Sequence, residues 1–166
     1  MAKFLVAGGA GFIGSNIGEA LTKQGHFVRV MDNFCSGKEE NLTFARSLGQ
    51  DKCEIMRGDI RDKFACDQAV KGMDYVLLLA ALRSVPKSME DPESYNDVNI
   101  NGTLFMLQAC AKNKVKRMVF SSSSSIYGDT DQFPQKETDL PKLISPYALS
   151  KLTGEYYCKI FSEFFG

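Results

Sequence analysis

The sequence predicts an α/β protein built on a doubly wound parallel sheet. Short apolar stretches alternate along the chain with longer segments of helical spacing, and a glycine-rich turn follows the first apolar stretch. Strands that alternate with helices need crossover connections, which give a parallel sheet, and right-handed crossovers place helices on both of its faces. The 166 residues are predicted to form one domain over residues 1–166.

Five short apolar stretches, bounded by glycine or polar residues, are predicted to be strands. The fourth is apolar throughout, as expected for a strand that is covered on both faces of a sheet. The second ends at Asp32, and a polar segment over residues 128–145 follows the fifth and predicts a surface loop. In chain order, the predicted strands are residues 4–7, 27–31, 53–57, 75–80 and 115–121.

Five helices are predicted between and after these strands. Gly25 caps the first after its last residue, since glycine commonly closes a helix, and the last begins at Pro146, since proline is favoured in the first turn. The second places Leu42, Ala45 and Leu48 at helical spacing, and the fourth is long, with a break near its start. In chain order, the predicted helices are residues 12–23, 38–48, 62–71, 92–113 and 146–164.

The composition argues against several classes of partner and site. Twenty basic and twenty acidic residues cancel, so neither a nucleic acid nor an anionic membrane is an expected partner. The five cysteines form no C-x-x-C pair, and a single histidine, His26, accompanies them. This argues against a disulfide framework and a metal site, and for a reducing cytoplasm, with His26 in a structural role. The apolar start is broken by glycines and is too short for a signal or membrane segment.

The turn at residues 8–14, with the sequence GGAGFIG, satisfies G-x-G-x-x-G from Gly9 and G-x-x-G-x-x-G from Gly8. Glycine permits the tight turn and lets backbone N–H groups approach a pyrophosphate, while the following helix N-terminus adds partial positive charge. A carboxylate at the position of Asp32 accepts hydrogen bonds from adenosine ribose hydroxyls and repels a 2′-phosphate. The pattern predicts a Rossmann-type site for NAD rather than NADP; a turn that merely reverses the chain is the alternative.

Tyr147 and Lys151 form a Y-x-x-x-K pattern on the last predicted helix. Residues i and i+4 share a helix face, and a cation close to a phenol stabilises the phenolate, which makes tyrosine a usable base. An ordinary amphipathic helix face is the alternative. The serine run over residues 121–125 follows the fifth predicted strand, at the carboxyl edge where ligands bind in open α/β sheets. Apolar residues on both sides of the run argue against a flexible linker.

The chain resembles the extended short-chain dehydrogenase/reductase family, in particular its NAD-dependent sugar-nucleotide epimerases and dehydratases. Its motifs occur in the order that is typical of that family. They are residues 8–14, 32–34, 58–62, 80–81, 91–92, 99–103, 121–128 and 145–151. Residues 32–34 and 84–86 look most like those of UDP-glucose or UDP-N-acetylglucosamine 4-epimerases.

The resemblance implies roles for individual residues. Ser123 is expected to orient the substrate hydroxyl, Tyr147 to act as the base, and Lys151 to hold both the phenolate and the nicotinamide ribose. The residues expected to bind NAD, besides Tyr147 and Lys151, are Gly8, Gly11, Phe12, Ile13, Gly14, Asp32, Asn33, Ser36, Gly37, Asp59, Ile60, Ala80, Ala81, Arg83 and Asn99.

The resemblance also implies the reaction, in which C4 of a UDP-sugar is oxidised transiently to a 4-keto intermediate and reduced again on its other face. A dehydratase of this family has an acidic residue just after the catalytic serine or threonine, where this chain has Ser124 and Ser125. The resemblance therefore favours an epimerase. A dehydratase or reductase relative is the alternative.

Members of the family are longer and continue with a further strand and a C-terminal domain that binds the nucleotide sugar. This chain is expected to lack that domain, as a fragment or as a natural short form, so a catalytically incomplete NAD-binding module is a second alternative. The family commonly dimerises through the helices near residues 100–113 and 146–164. The apolar residues that would serve a homodimer, or simply cover the sheet, are Leu104, Leu107, Tyr156, Ile160, Phe161 and Phe164.

Overall fold

The computed structural model describes residues 1–49, 51–131 and 133–166, without the side chains of residues 46 and 48. The predicted place of the Leu48 side chain on a helix face lies outside the described residues. Within them the chain forms a parallel sheet of five strands in the order β3-β2-β1-β4-β5, which confirms the doubly wound α/β fold. The strands are β1 (Lys3–Ala7), β2 (Phe27–Asp32), β3 (Cys53–Arg57), β4 (Tyr75–Leu78) and β5 (Arg117–Phe120).

The helices cover both faces of this sheet, as the alternating pattern predicts. The prediction over residues 38–48 was wrong in part, because a 3-10 turn at Glu39–Leu42 precedes the α-helix there. The long helix predicted from residue 92 has a π-helical segment at Asn96–Asn101, which separates two α-helices. The α-helices are α1 (Phe12–Lys23), α2 (Thr43–Leu48), α3 (Lys63–Val70), α4 (Val85–Glu90), α5 (Pro92–Tyr95), α6 (Gly102–Lys112) and α7 (Pro146–Phe165).

Helix α4 was not predicted, although its starting signals are present in the sequence. The hydroxyl of Ser84 accepts a hydrogen bond from the N–H of Lys87 over 3.4 Å, and Pro86 stands in the first turn. Asp91 then begins α5, because its carboxylate accepts from the N–H of Ser94 over 3.1 Å. Two successive caps therefore begin two short helices, α4 before residue 92 and α5 at the predicted start of the long helix.

β4 and β5 are shorter than predicted. The N–H groups of Leu79 and Ala80 both donate to the carbonyl of Ala7, over 2.9 Å each, and this turns the chain out of the sheet after Leu78. The N–H of Val115 donates to the carbonyl of Cys110 over 3.0 Å and so belongs to the end of α6. Hydrogen bonds to the neighbouring strand at β4, and to the end of α6 before β5, thus set strand ends that the apolar runs overestimate.

Alternate residues of the central strand pack into two separate cores. Leu5 and Ala7 face α3 and α6, together with Val76 of β4, and all three are completely buried. Val6 faces the opposite side, with residues of α1 and α2. Because both faces are covered, the carboxyl ends of the strands form the edge at which ligands can reach the backbone.

Candidate active site

A cavity of about 740 Å³ opens at the carboxyl edge of the sheet. It lies where the strand order reverses between β1 and β4, which is where ligands bind in open α/β sheets. Most of the predicted site residues lie on its wall. They are Gly8, Gly11, Phe12, Ile13, Gly14, Asp32, Asn33, Ser36, Gly37, Asp59, Ile60, Ala80, Ala81, Arg83, Tyr147 and Lys151.

The glycine turn forms the floor of the cavity and packs backbone against backbone. Gly8 has a φ of +84°, and a Cβ at this position would lie 2.5 Å from the backbone nitrogen of Ala80. A Cβ at Gly14 would collide with the carbonyl oxygen of Gly8. Gly8 therefore lets the turn approach the chain just after β4, and Gly14 lets α1 approach the turn, more closely than any residue with a Cβ allows.

The start of α1 offers its backbone N–H groups to the cavity. Gly11 is the N-cap and provides no side-chain acceptor, and the first turn of the helix holds no acidic residue. The side chains of Phe12 and Ile13 are exposed beside it. Unsatisfied N–H groups and the positive end of the helix dipole make such a terminus a site for an anion.

The carboxylate of Asp32 ties this turn to the end of β2. Its Oδ2 accepts a hydrogen bond from the N–H of Ala10 over 2.9 Å, and its Oδ1 accepts from the N–H of Phe34 over 2.8 Å. A carboxylate has about four acceptor positions, so both oxygens retain capacity for a ligand hydroxyl. Asp32 is buried except at the cavity, which fits a group that orders the turn and also faces a ligand.

Asp59 receives several protein donors at the far end of the cavity. Its oxygens accept from the amide of Asn33 over 2.8 Å, and from Nη2 and Nε of Arg61 over 2.8 Å and 3.1 Å. The hydrogen bonds from Arg61, more than any other cause, hold the pKa of the Asp59 carboxyl well below its usual range. Arg61 also lines the cavity and was not predicted, although it lies inside the motif at residues 58–62.

Asn99 lies behind the cavity wall, where its side chain joins three elements. Its Oδ1 accepts from the N–H of Leu82 over 2.8 Å, while its Nδ2 donates to the carbonyl of Leu82 over 2.9 Å and to the hydroxyl of Ser150 over 3.0 Å. The hydroxyl of Ser150 in turn donates to the carbonyl of Tyr147 over 2.7 Å. With only 2% of its surface exposed, Asn99 orders the loop after β4 against α7.

Tyr147 and Lys151 project from α7 into the cavity, and both are more than nine-tenths buried. The Nζ of Lys151 donates to the carbonyl of Ser121 over 2.8 Å and lies 6.0 Å from the centre of the Tyr147 ring. Burial lowers the pKa of Lys151 to about 8. The Tyr147 ring meets the Tyr95 ring edge to face, with 6.3 Å between their centres, which limits its movement.

The serine run leaves β5 beside these two residues. Ser121 and Ser122 lie on the cavity wall, and Ser123 follows as the N-cap of a short 3-10 turn. The hydroxyl of Ser123 accepts from the N–H of Ser125 over 3.2 Å, so a local cap orients it. Ser122 and Glu155, neither of which was among the predicted site residues, are hydrogen-bonded to each other. The signal for Glu155 was its position four residues after Lys151 on the same helix face.

His26 lies away from the cavity. Its Nδ1 accepts from the N–H of Ala2 over 3.3 Å, and its ring packs 5.2 Å from that of Phe4, centre to centre. Across residues 1–49, 51–131 and 133–166, no group of three histidine, cysteine, aspartate or glutamate side chains could hold a metal ion. None of the helices in these ranges is both long and apolar enough to cross a membrane.

The sequence of the chain matches a known protein family. The model of the NAD dependent epimerase/dehydratase family matches residues 4–166. The UDP-glucose 4-epimerase of Neisseria meningitidis serogroup C is 36% identical over 154 residues, which are 91% of this chain and 45% of that protein.

Two solved structures share the fold closely. The UDP-N-acetylglucosamine 4-epimerase from Methanobrevibacter ruminantium M1, in complex with UDP-N-acetylmuramic acid, is 40% identical with a TM-score of 0.91, over 99% of this chain and 52% of that one. The UDP-glucose 4-epimerase of Thermus thermophilus, in complex with NAD, is 38% identical with a TM-score of 0.89, over 99% and 52%. The chain spans about half the length of the relatives it matches.

Proposed function

Because the chain belongs to the NAD dependent epimerase/dehydratase family, we propose that it binds NAD in the cavity and carries the Ser–Tyr–Lys part of a UDP-sugar 4-epimerase site. One observation carries the proposal. Tyr147 and Lys151, both buried, line the same cavity as the glycine turn and Asp32. A base and its cation therefore face the space in which a dinucleotide would lie.

The residues present fit NAD from end to end. The α1 N-terminus, at Phe12 and Ile13, suits the pyrophosphate, because it lines the cavity and neither a capping side chain nor an acidic residue opposes its positive end. Asp32 retains acceptor capacity for the adenosine ribose hydroxyls and repels a 2′-phosphate. The cavity volume of about 740 Å³ lies within the usual range for a cofactor site.

The remaining predicted contacts divide along the cavity by position. We assign the adenosine end to the loops after β2 and β3, and the nicotinamide end to the loop after β4 and the start of α7. The adenosine group is Asn33, Ser36, Gly37, Asp59 and Ile60, and the nicotinamide group is Ala80, Ala81, Arg83, Tyr147 and Lys151. Asn99 supports the second group from behind, through the backbone of Leu82.

NAD, when bound, supplies the acceptor and donor of a hydride, so that C4 of the sugar can be oxidised and then reduced. Tyr147 takes the proton from the sugar 4-hydroxyl and later returns it. The ammonium of Lys151 stabilises the phenolate, and Ser123 orients the hydroxyl. Rotation of the 4-keto sugar before reduction exchanges the two C4 epimers.

The substrate is proposed to be a UDP-sugar, because the compared relatives are named as UDP-glucose or UDP-N-acetylglucosamine 4-epimerases. Ser124 and Ser125 provide no acid for the elimination that a dehydratase performs. A second candidate function is an NAD-binding module without turnover. The chain spans about half the length of each relative, so turnover by this chain is part of what the experiments test.

A homodimer through α6 and α7 is also proposed. Tyr156, Ile160 and Phe164 of α7 expose 57%, 46% and 79% of their surfaces. Exposed apolar side chains along one helix are typical of an interface. Leu107 of α6 is buried within the chain, so its side chain offers little surface to such an interface.

Calorimetric titration with NAD tests the proposed cofactor site. The unaltered chain is expected to bind NAD saturably, Asp32→Asn to bind more weakly, and Asp32→Ala more weakly still, since each removes acceptor strength at the ribose. Asp51→Ala, at an exposed aspartate before β3, is the matched control and should bind as the unaltered chain does. An absence of NAD binding by the unaltered chain would overturn the proposal.

A coupled assay with UDP-glucose and UDP-N-acetylglucosamine then separates the two candidate functions. Epimer formation that Tyr147→Phe abolishes supports catalysis by this chain. Saturable NAD binding without any epimer formation supports the binding module. Release of a C5–C6 dehydrated 4-keto sugar would instead favour a dehydratase relative.

A further inference from the structure

The N–H and the carbonyl of Ala10 both form hydrogen bonds with residues outside the glycine turn. Ala10 is completely buried in the middle of the phosphate-binding turn, and its N–H donates to Asp32 as described. Its carbonyl accepts from the N–H of Lys38 over 3.1 Å and from the side-chain Nδ2 of Asn41 over 2.8 Å. The 3-10 turn at Glu39–Leu42 thus contacts the turn directly.

We propose that Asn41 is a positioning residue for the pyrophosphate end of the cofactor site. It holds the Ala10 carbonyl so that the N–H groups at the start of α1 remain directed into the cavity. The inference rests on the proposed function, because it concerns the binding of the NAD pyrophosphate in that cavity. No motif identified in the sequence includes Asn41, which lies in the 3-10 turn at Glu39–Leu42 and lines the cavity.

The need for such a residue follows from the glycines themselves. Gly8, Gly9 and Gly11 surround Ala10, and glycine has more backbone freedom to lose than any other residue. A turn of this composition keeps one conformation only where outside groups restrain it. A restraint that is already present in the free chain lowers the entropic cost of ordering the turn when NAD binds, and this raises the affinity for NAD.

Asn41 also stabilises the segment that provides the other donor to the Ala10 carbonyl, the N–H of Lys38. Its own N–H donates to the carbonyl of Lys38 over 3.1 Å, so it stabilises the segment that presents the Lys38 N–H. The neighbouring Gly37 packs tightly here, since a Cβ at that position would lie 2.7 Å from the Ala10 Cβ. One asparagine therefore supports both hydrogen bonds that the Ala10 carbonyl accepts.

The neutral amide of Asn41 suits its position beside the Ala10 carbonyl. An amide donates to the carbonyl without adding charge, whereas a carboxylate would repel both the Ala10 oxygen and a bound pyrophosphate. The first turn of α1 holds no acidic residue, which leaves its positive end available to the ligand. Asn41→Asp, which is nearly the same size, should therefore weaken binding more than Asn41→Ala.

The test measures binding of NAD, ADP and adenosine to the full chain by calorimetry, with ligand-observed NMR for the weak nucleoside. Asn41→Ala should bind NAD and ADP roughly tenfold more weakly, as expected for one lost hydrogen bond that orders the site. Adenosine, which has no phosphate, should lose less affinity than NAD and ADP in Asn41→Ala. Asn41 is exposed, so the variant is expected to fold, and thermal unfolding checks this.

Asn16→Ala is the matched control. The Nδ2 of Asn16 also donates to a backbone carbonyl, that of Phe12 over 2.8 Å, but from further along α1. Its removal should leave NAD affinity unchanged. Equal affinity of the unaltered chain and Asn41→Ala for NAD would overturn this inference while the proposed function stands.

Two further results would also contradict this inference. An equal loss for adenosine in Asn41→Ala would also overturn the inference, since Asn41 would then act on the nucleoside rather than on the pyrophosphate cradle. A lack of NAD binding by the unaltered chain would overturn the proposed function, and this inference with it.

Discussion

The side chain of Lys151 donates a hydrogen bond of 2.8 Å to the backbone carbonyl of Ser121. The next residue, Ser122, is hydrogen-bonded to Glu155, one turn further along α7. Two successive residues at the end of β5 are thus joined to the helix that carries Tyr147. The relative placement of Ser123 and Tyr147 follows from these contacts rather than from either segment alone.

Burial of Lys151 should make the stability of the chain depend on pH. Its pKa is lowered from 10.5 to about 8, so below pH 8 the folded chain bears the cost of a buried ammonium. The cost disappears as the pH rises from about 8 to 10.5, because the unfolded chain then binds more protons than the folded one. The free energy of unfolding, relative to that of Lys151→Met, should rise over this window by roughly 3 kcal/mol at most.

Urea denaturation at pH 7 and pH 10, without NAD, measures this difference. Lys159→Met, at an exposed lysine on the same helix, is the control and should show little change with pH. A constant difference between the unaltered chain and Lys151→Met would contradict the lowered pKa.

Replacement of Gly8 by alanine should destabilise the chain and abolish NAD binding. The positive φ lowers the free energy of unfolding by about 1 kcal/mol or more for any residue with a Cβ. The clash with Ala80 lowers it by about 1–3 kcal/mol more. Gly25 has a similar φ of +82° with open space around it, so Gly25→Ala should show the first cost alone. Denaturation and NAD titration of both variants measure the difference, and similar losses in the two would count against a close backbone approach at Gly8.

Removal of the Asn99 side chain should loosen the loop after β4. Asn99→Ala leaves the N–H and carbonyl of Leu82 without their partner and is expected to lower the free energy of unfolding by about 3 kcal/mol. Asn101, in the same π-helical segment, donates to Asp97 one turn back over 3.3 Å, so Asn101→Ala should lower the free energy of unfolding by less than about 1 kcal/mol. NAD should also bind more weakly to the Asn99 variant alone.

The proposed homodimer can be tested by sedimentation velocity. The unaltered chain should sediment as a dimer, and Ile160→Lys should convert it to a monomer, because the exposed apolar face of α7 would then carry a charge. Leu140→Lys is the control, since Leu140 is 88% exposed in the loop before α7. A monomeric unaltered chain would refute the proposed interface.

Prediction from the sequence worked best where the signal is local. The strand at β3 and the helix α1 have the bounds that apolar spacing indicates, and α7 extends one residue beyond its predicted end. The end of β4 was wrong because hydrogen bonds from Leu79 and Ala80 to Ala7 decide it. Such bonds depend on which strand lies alongside, and apolar spacing does not identify the neighbouring strand.

By itself, the sequence determined the β1–turn–α1 unit, the acid at the end of β2, and the shared helix face of Tyr147 and Lys151. Each of these depends on neighbours within a few residues. Only the tertiary structure decided that Asn99 contacts Ser150, 51 residues away, and that Asn41 holds Ala10, 31 residues away. Contacts between residues so far apart follow from how the layers pack, and apolar spacing shows which face is buried but not which distant residue it meets.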